Sequence, residues 1–303
     1  MPEHDVERID YDEFAYFHEN ASEFGLPYDR PPVVRRERVE VEPGRSLSAL
    51  VWGDGPPELV LLHGGAQNAH TWDTVALALD RPLVAIDLPG HGHSDGGRNG
   101  SLDLRANATD VATAIRALAP DAAAVVGMSL GGMTALTVAD LAPDLVRRLV
   151  LVDVTPGVDG PKAQSIVQFI DGPESFPSFE EILARTIEFN PTRTESSLRR
   201  GILHNAEQLE DGSWVWRYRR FREPDEVGSH PDFTDLWEAV SRLTIPVMLV
   251  RGMRPQSVVD DADEGELLRR RPDARVEHVE EAGHSVQGDT PVELAELVAD
   301  FVG

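Results

Sequence analysis

Cysteine is absent from all 303 residues, which excludes disulfides, thiolate metal sites and a cysteine nucleophile. Basic residues are scarce: 28 Lys and Arg face 53 Asp and Glu, a formal net charge of −25. Phosphate contacts need clustered Lys and Arg, so neither nucleic acid nor an anionic membrane surface is expected as a partner. The charge serves solubility first. It disfavours anionic substrates only mildly, because the local field of a pocket can oppose the global one. No apolar run approaches the length of a membrane span. The opening Met1-Pro2-Glu3-His4-Asp5 lacks a basic stretch followed by an apolar one. No signal peptide is therefore expected, and a cytoplasmic location fits. Internal repeats and low-complexity tracts are missing too.

What is there is an apolar content of 41% with 27% charge, the balance of a globular chain with a sizeable core. The length suits one large α/β domain with an insertion, or two ordinary domains. Residues 1–35 read as an acidic N-terminal extension in which Phe14 and Phe17 share a helical face. Partial mobility is the expectation for it, with a docked helix or lid contribution as the alternative.

Alternation begins after Pro31-Pro32. Arg38 to Glu42 and Leu47 to Trp52 read as paired strands around Pro43-Gly44-Arg45. Further strands are predicted over Glu58–Leu62, Leu83–Ile86, Ala122–Met128 and Leu149–Val152, with helices over Thr71–Leu79, Leu102–Leu118 and Met133–Leu141. Strands separated by such helices mean a doubly wound, mostly parallel sheet, whose active sites lie beyond the carboxyl ends of the strands. His63, Asp87, Ser129 and Asp153 all fall at those ends. From Thr155 to about Arg242 no buried strand pattern appears, and helical segments stand around Phe179–Phe189 and Glu195–Leu203. Alternation resumes with a strand at Val247–Val250, a helix at Asp261–Arg270, a strand at Val276–Val279 and a helix at Val292–Phe301. The division that follows is an α/β core of 36–154 and 243–303, interrupted by a mostly helical cap over 155–242.

The chemistry concentrates in Gly127-Met128-Ser129-Leu130-Gly131. An apolar strand, then G-x-S-x-G, then a helix is the context of a nucleophile elbow, with Ser129 as the nucleophile. A serine hydroxyl needs a base within hydrogen-bond reach. Of the ten histidines, His284 in Glu281-Ala282-Gly283-His284-Ser285 follows the last strand and precedes the final helix, which brings it to the sheet edge of Ser129. Charge developing on the substrate oxygen needs preorganised donors. The N–H of Leu130 supplies one, and the N–H of Gly65, in His63-Gly64-Gly65, is the candidate for the second.

Together with Asp87-Leu88-Pro89-Gly90-His91-Gly92-His93-Ser94, these stretches resemble the α/β-hydrolase fold superfamily in its capped serine-hydrolase branch. The resemblance covers about 38–303. It implies a catalytic triad, and a pocket-shaping role for the Asp87–Ser94 loop, so His91 and His93 are not read as metal ligands. Ser129 at the elbow separates the chain from dehalogenases and epoxide hydrolases of this fold, which attack with aspartate. The Gly-Gly-Ser-Trp-Gly elbow of proline iminopeptidases is also missing. One departure stands out. Most relatives place the triad acid as Gly-x-x-Asp after the strand that follows the cap, and here that stretch reads Gly252-Met253-Arg254-Pro255. Asp153, at the end of the strand after the nucleophile's helix, is the favoured acid. Asp260 is the alternative, with helix capping as its ordinary explanation.

Met128 and Leu130 flank the nucleophile and are expected to wall the acyl pocket. Trp214 and Trp216 are candidate substrate contacts, with packing of the cap as the competing role. The reading is a cofactor-independent, metal-free serine hydrolase for an ester, lactone or related carbonyl compound, acting on a small molecule, with homo-oligomerisation left open. Its rivals are a C–C bond hydrolase or haloperoxidase-like perhydrolase on the same residues, and a non-catalytic ligand-binding or sensor member of the fold.

Overall fold

The computed structural model describes residues 8–97, 103–218 and 232–303. The first half of the chain runs α1 (Phe17–Glu23), β1 (Val34–Glu42), β2 (Arg45–Trp52), β3 (Leu59–Leu62), α2 (Asp73–Leu79), β4 (Leu83–Ile86), α3 (Leu104–Leu118), β5 (Ala124–Met128), α4 (Leu130–Leu141) and β6 (Leu149–Val152). The apolar runs of β3, β4 and β6 are buried at every position, as expected of strands covered on both faces. The period of two then sorts their side chains. Val60, Leu62, Val84 and Ile86 enter one core cluster, and Leu59, Leu61, Leu83 and Ala85 enter the other. In α3, Asp103 starts the helix by accepting from the N–H groups of Arg105 and Ala106. Leu102, where the sequence pattern begins that helix, lies outside the described residues.

The inserted region contains α5 (Gln164–Ile170), β7 (Ser175–Phe176), α6 (Phe179–Phe189), α7 (Glu195–Asn205), β8 (Ala206–Gln208), β9 (Trp214–Trp216) and α8 (Leu236–Arg242). A small antiparallel sheet, ordered β7-β9-β8, joins the helices expected there. Its strands have two or three residues each, too short to give a periodic signal. Trp237, Ala239 and Val240 of α8 belong to the main core cluster.

The chain then returns to the core with β10 (Val247–Gly252), α9 (Asp261–Arg270), β11 (Arg275–Val279), α10 (Val286–Asp289) and α11 (Pro291–Val302). The main sheet has the order β1-β2-β4-β3-β5-β6-β10-β11. β1 and β2 pair antiparallel, as do β2 and β4, and the remaining neighbours are parallel. Helices α3, α4 and α8 cover one face, and α2 and α11 cover the other. This is the α/β-hydrolase architecture. Among the described residues no helix is long and apolar enough to cross a membrane.

The described part of the N-terminal extension is docked, the second of the two readings made for it. Phe17 is 2% exposed, with its ring 4.9 Å from that of Trp52. Glu13 pairs with Arg36 of β1. On the other side, Arg200 of α7 pairs with Glu19 and Glu23 and donates to Asn20 at 2.9 Å. The extension thus ties the inserted region to the core.

Candidate active site

At the end of β5 the backbone of Ser129 takes φ 50° and ψ −120°, a region that costs a non-glycine residue on the order of 1–3 kcal/mol. The neighbouring glycines explain how the turn closes. A Cβ on Gly127 would lie 2.4 Å from the Gly131 carbonyl oxygen, and one on Gly131 would lie 2.3 Å from that of Leu62. Strand, helix and the adjacent β3 approach too closely for any side chain at either position. Ser129 is left half-buried at the mouth of a cavity of about 120 Å³ that His284 also lines.

Asp153 carries the next positive φ, 45°, immediately after β6, and its fully buried carboxylate points toward the histidine loop. Oδ2 lies 2.9 Å from His284 Nδ1. A carboxylate oxygen can only accept there, so Nδ1 carries the proton and Nε2 is free to accept one. Three further donors hold the carboxylate: Gly252 N–H to Oδ1 at 3.0 Å, Ser257 Oγ to Oδ1 at 2.6 Å, and Val258 N–H to Oδ2 at 3.1 Å. The last residue of β10 and the stretch after it, which lacks the usual acid, supply these donors instead. Asp260 faces away. It begins α9 by accepting from Ala262 and Asp263 N–H at 3.0 Å each and pairs with Lys162 at 2.9 Å. The Lys162 ammonium and those amides hold its carboxyl down at about 2.

Over the elbow passes the loop after β3. A Cβ on Gly64 would sit 2.5 Å from Met128 Sδ and 3.3 Å from Ser129 Cβ. His63 anchors this loop: Nδ1 donates to Gly64 O at 2.7 Å, and Nε2 accepts from Leu88 N–H at 2.9 Å. Burial pushes its pKa down, in keeping with a neutral ring. The N–H groups of Gly65 and Leu130 are not hydrogen-bonded within the described residues. Asp87 organises the neighbouring turn. It accepts from Ala69 N–H at 2.7 Å, His93 N–H at 3.1 Å and Arg36 at 2.9 Å, while a Cβ on Gly92 would sit 2.4 Å from its Oδ1. His91 donates from Nδ1 to Pro89 O at 3.0 Å and packs on the His63 ring, and burial pushes its pKa down to about 3.

Met128 lines the Ser129 cavity, together with Ile166, Phe169 and Ile170 of α5 and Phe189 of α6. Leu130 does not line it and packs against the core with its side chain. Trp214 does not line it either. Trp214 is buried in the core of the inserted region, edge-on to Phe179 at 5.1 Å. Trp216 lines a second, adjoining cavity of about 160 Å³, its ring 5.7 Å from Phe169, which lines both. Residues two apart in a strand share a face: on that face of β9, Trp214 meets Phe179 of α6, whereas Trp216 meets Phe176 and reaches the second cavity. The α5 contacts escaped the sequence reading because seven residues after a proline-rich turn give too little periodicity.

A buried polar chain was equally invisible. His70 sits between Asp73 (2.9 Å) and Glu13 (3.2 Å), and its ring stacks 3.9 Å from that of His204, at 11° to it. Burial alone would lower the His70 pKa, but the two carboxylates raise it to about 9. Burial pushes the Asp73 carboxyl up and His70 opposes this; the two short contacts place the His70 ring as a bridge between two carboxyl groups. Ligand atoms of His70, Asp73 and His204 come within 4.8 Å of one another. Two nearly parallel stacked rings, however, cannot both aim in-plane lone pairs at one ion, and His70 already engages both its nitrogens.

A model of the Alpha/beta hydrolase family matches residues 59–297. The esterase Rv0045c of Mycobacterium tuberculosis is 45% identical over 301 residues, covering 97% of each chain. A crystal structure of that esterase superposes with a TM-score of 0.83 at 44% identity, covering 98% of this chain and 99% of the other. The pimeloyl-[acyl-carrier protein] methyl ester esterase of Sodalis glossinidius is 32% identical over 244 residues, covering 72% of this chain and 86% of its own. Fold, elbow and family match agree: the chain belongs to the α/β-hydrolase superfamily.

Proposed function

We propose that this protein is a serine esterase that cleaves carboxylic esters or lactones without a cofactor. His284 Nε2 takes the proton of Ser129 Oγ as that oxygen attacks the substrate carbonyl. Asp153 holds the imidazole in the required tautomer and stabilises the imidazolium that forms. The N–H groups of Leu130 and Gly65 receive the oxyanion. Collapse expels the alcohol, protonated by His284, and leaves an acyl-enzyme. His284 then deprotonates a water that releases the acid. The Nδ1–Oδ2 contact of 2.9 Å between His284 and Asp153, on the cavity that holds the strained Ser129, carries the reading. The name of the 45% identical relative, an esterase, supports it. With a buried acid on His284, the missing Gly-x-x-Asp no longer argues for a non-catalytic member of the fold. The test is labelling by a fluorophosphonate probe and turnover of short p-nitrophenyl esters, both expected in the native chain and abolished by Ser129→Ala. Labelling retained by that variant would remove Ser129 from the mechanism.

A further inference from the structure

The second cavity adjoins the first, since Gln67, Phe169 and Asn190 line both. Its walls invert the sign of the molecule. In a chain of net charge −25, the carboxylate that lines it among the described residues is Asp73, which His70 engages, whereas two guanidinium groups, Arg193 and Arg200, line the space. Arg200 is neutralised by Glu19 and Glu23. Arg193 is not. It donates to Ser197 Oγ and lies across Gly288, where a Cβ would come within 2.9 Å of its Nη1. Its Nε is buried with no hydrogen-bond partner among the described residues. No carboxylate comes within ion-pair distance of it among the described residues; Asp289 and Glu23 act on it only from farther away. A half-buried cation with an unpaired, buried N–H and no counter-ion among the described residues is costly to keep, and the planar fork of a guanidinium matches a carboxylate.

We propose that Arg193 forms an anion-binding subsite in the second cavity, and that the ester cut at Ser129 bears a carboxylate remote from its scissile bond. This rests on the esterase reading and adds the substrate class. It also resolves how a strongly acidic protein accepts an anion: the local field at Arg193 opposes the global one.

Two measurements test it. The first is kcat/KM for p-nitrophenyl monoesters of succinic, glutaric, adipic and pimelic acids and for O-butyryl 4-hydroxybutanoate and 6-hydroxyhexanoate. Each is compared with its neutral carboxamide counterpart. The native chain should prefer the carboxylate for at least one length by about tenfold or more, through KM, and Arg193→Gln should remove most of that preference while Arg193→Lys restores part. The second is calorimetric binding of glutarate, adipate and pimelate to Ser129→Ala, which should weaken by about tenfold when Arg193→Gln is added. Melting curves report whether Arg193→Gln folds, and if it does not, loss of the preference at high salt in the native chain is the readout. Equal rates for carboxylates and carboxamides, with no dicarboxylate binding, would overturn the subsite and leave the esterase standing. Arg193-dependent binding with no ester turned over would keep the subsite and overturn the esterase.

Discussion

At the scale of single residues, the decisive feature is how Asp153 is held. A fully buried carboxylate that accepts from two backbone amides, a serine hydroxyl and an imidazole has each oxygen satisfied twice. It can therefore remain an acceptor toward His284 Nδ1. Asp153→Asn can offer His284 a donor in its place and favour the wrong tautomer, so kcat should fall by about 10³–10⁴-fold in steady-state assays. Asp260→Ala should leave kcat/KM within about twofold, because that carboxylate caps α9. Its cost should appear in denaturant melts, at about 1 kcal/mol for the lost cap. Rates that respond the other way round would reverse the acid assignment. Sequence position made Asp153 a candidate, but its three other donors come from residues about a hundred positions away. No local pattern could have shown them.

Among the elements, the docked helix α1 is the one whose role changed most between sequence and structure. Its apolar contribution is small, and Phe14 and Phe17 alone cannot specify a docking surface. The burial of Phe17 against Trp52 and the ion pairs from Glu13, Glu19 and Glu23 decide it. Phe17→Ala should cost about 3–4 kcal/mol, read as a shift of the denaturant midpoint at unchanged m-value. An effect under about 1 kcal/mol would mean that the helix does not pack on the core in solution. The short strands β7, β8 and β9 were unreadable for a related reason. Two or three residues carry no period, and they become strands only because their partners are present.

For the whole molecule, stability should carry the signature of the buried polar chain that joins the extension, β1 and α7. His70 is easier to protonate in the folded chain, with its pKa raised from 6.5 to about 9 by Asp73 and Glu13 against the opposing effect of burial. Its contribution is therefore complete below about pH 6.5 and is lost as the pH rises through about 9. The Glu13 carboxyl, which burial alone would raise, is held at about 2 by His70 and Arg36, so its share is lost only as the pH falls toward that value. The Tm should drop by roughly 2–5 °C between pH 7 and 9.5, and His70→Gln should flatten that slope. An identical slope in the variant would show that His70 is not the titrating group. What the chain determines by itself is the alternation of buried runs with helices, the glycines that close the elbow at Ser129, and the chain order of serine, acid and histidine. These are local or periodic properties, written in residues a few positions apart. Tertiary structure alone decided that Asp153 rather than Asp260 meets His284, that Trp214 turns inward, and that Arg193 faces a cavity with no counter-ion among the described residues. Each of those depends on which distant side chains arrive at one point in space, and on what is left unpaired once they have.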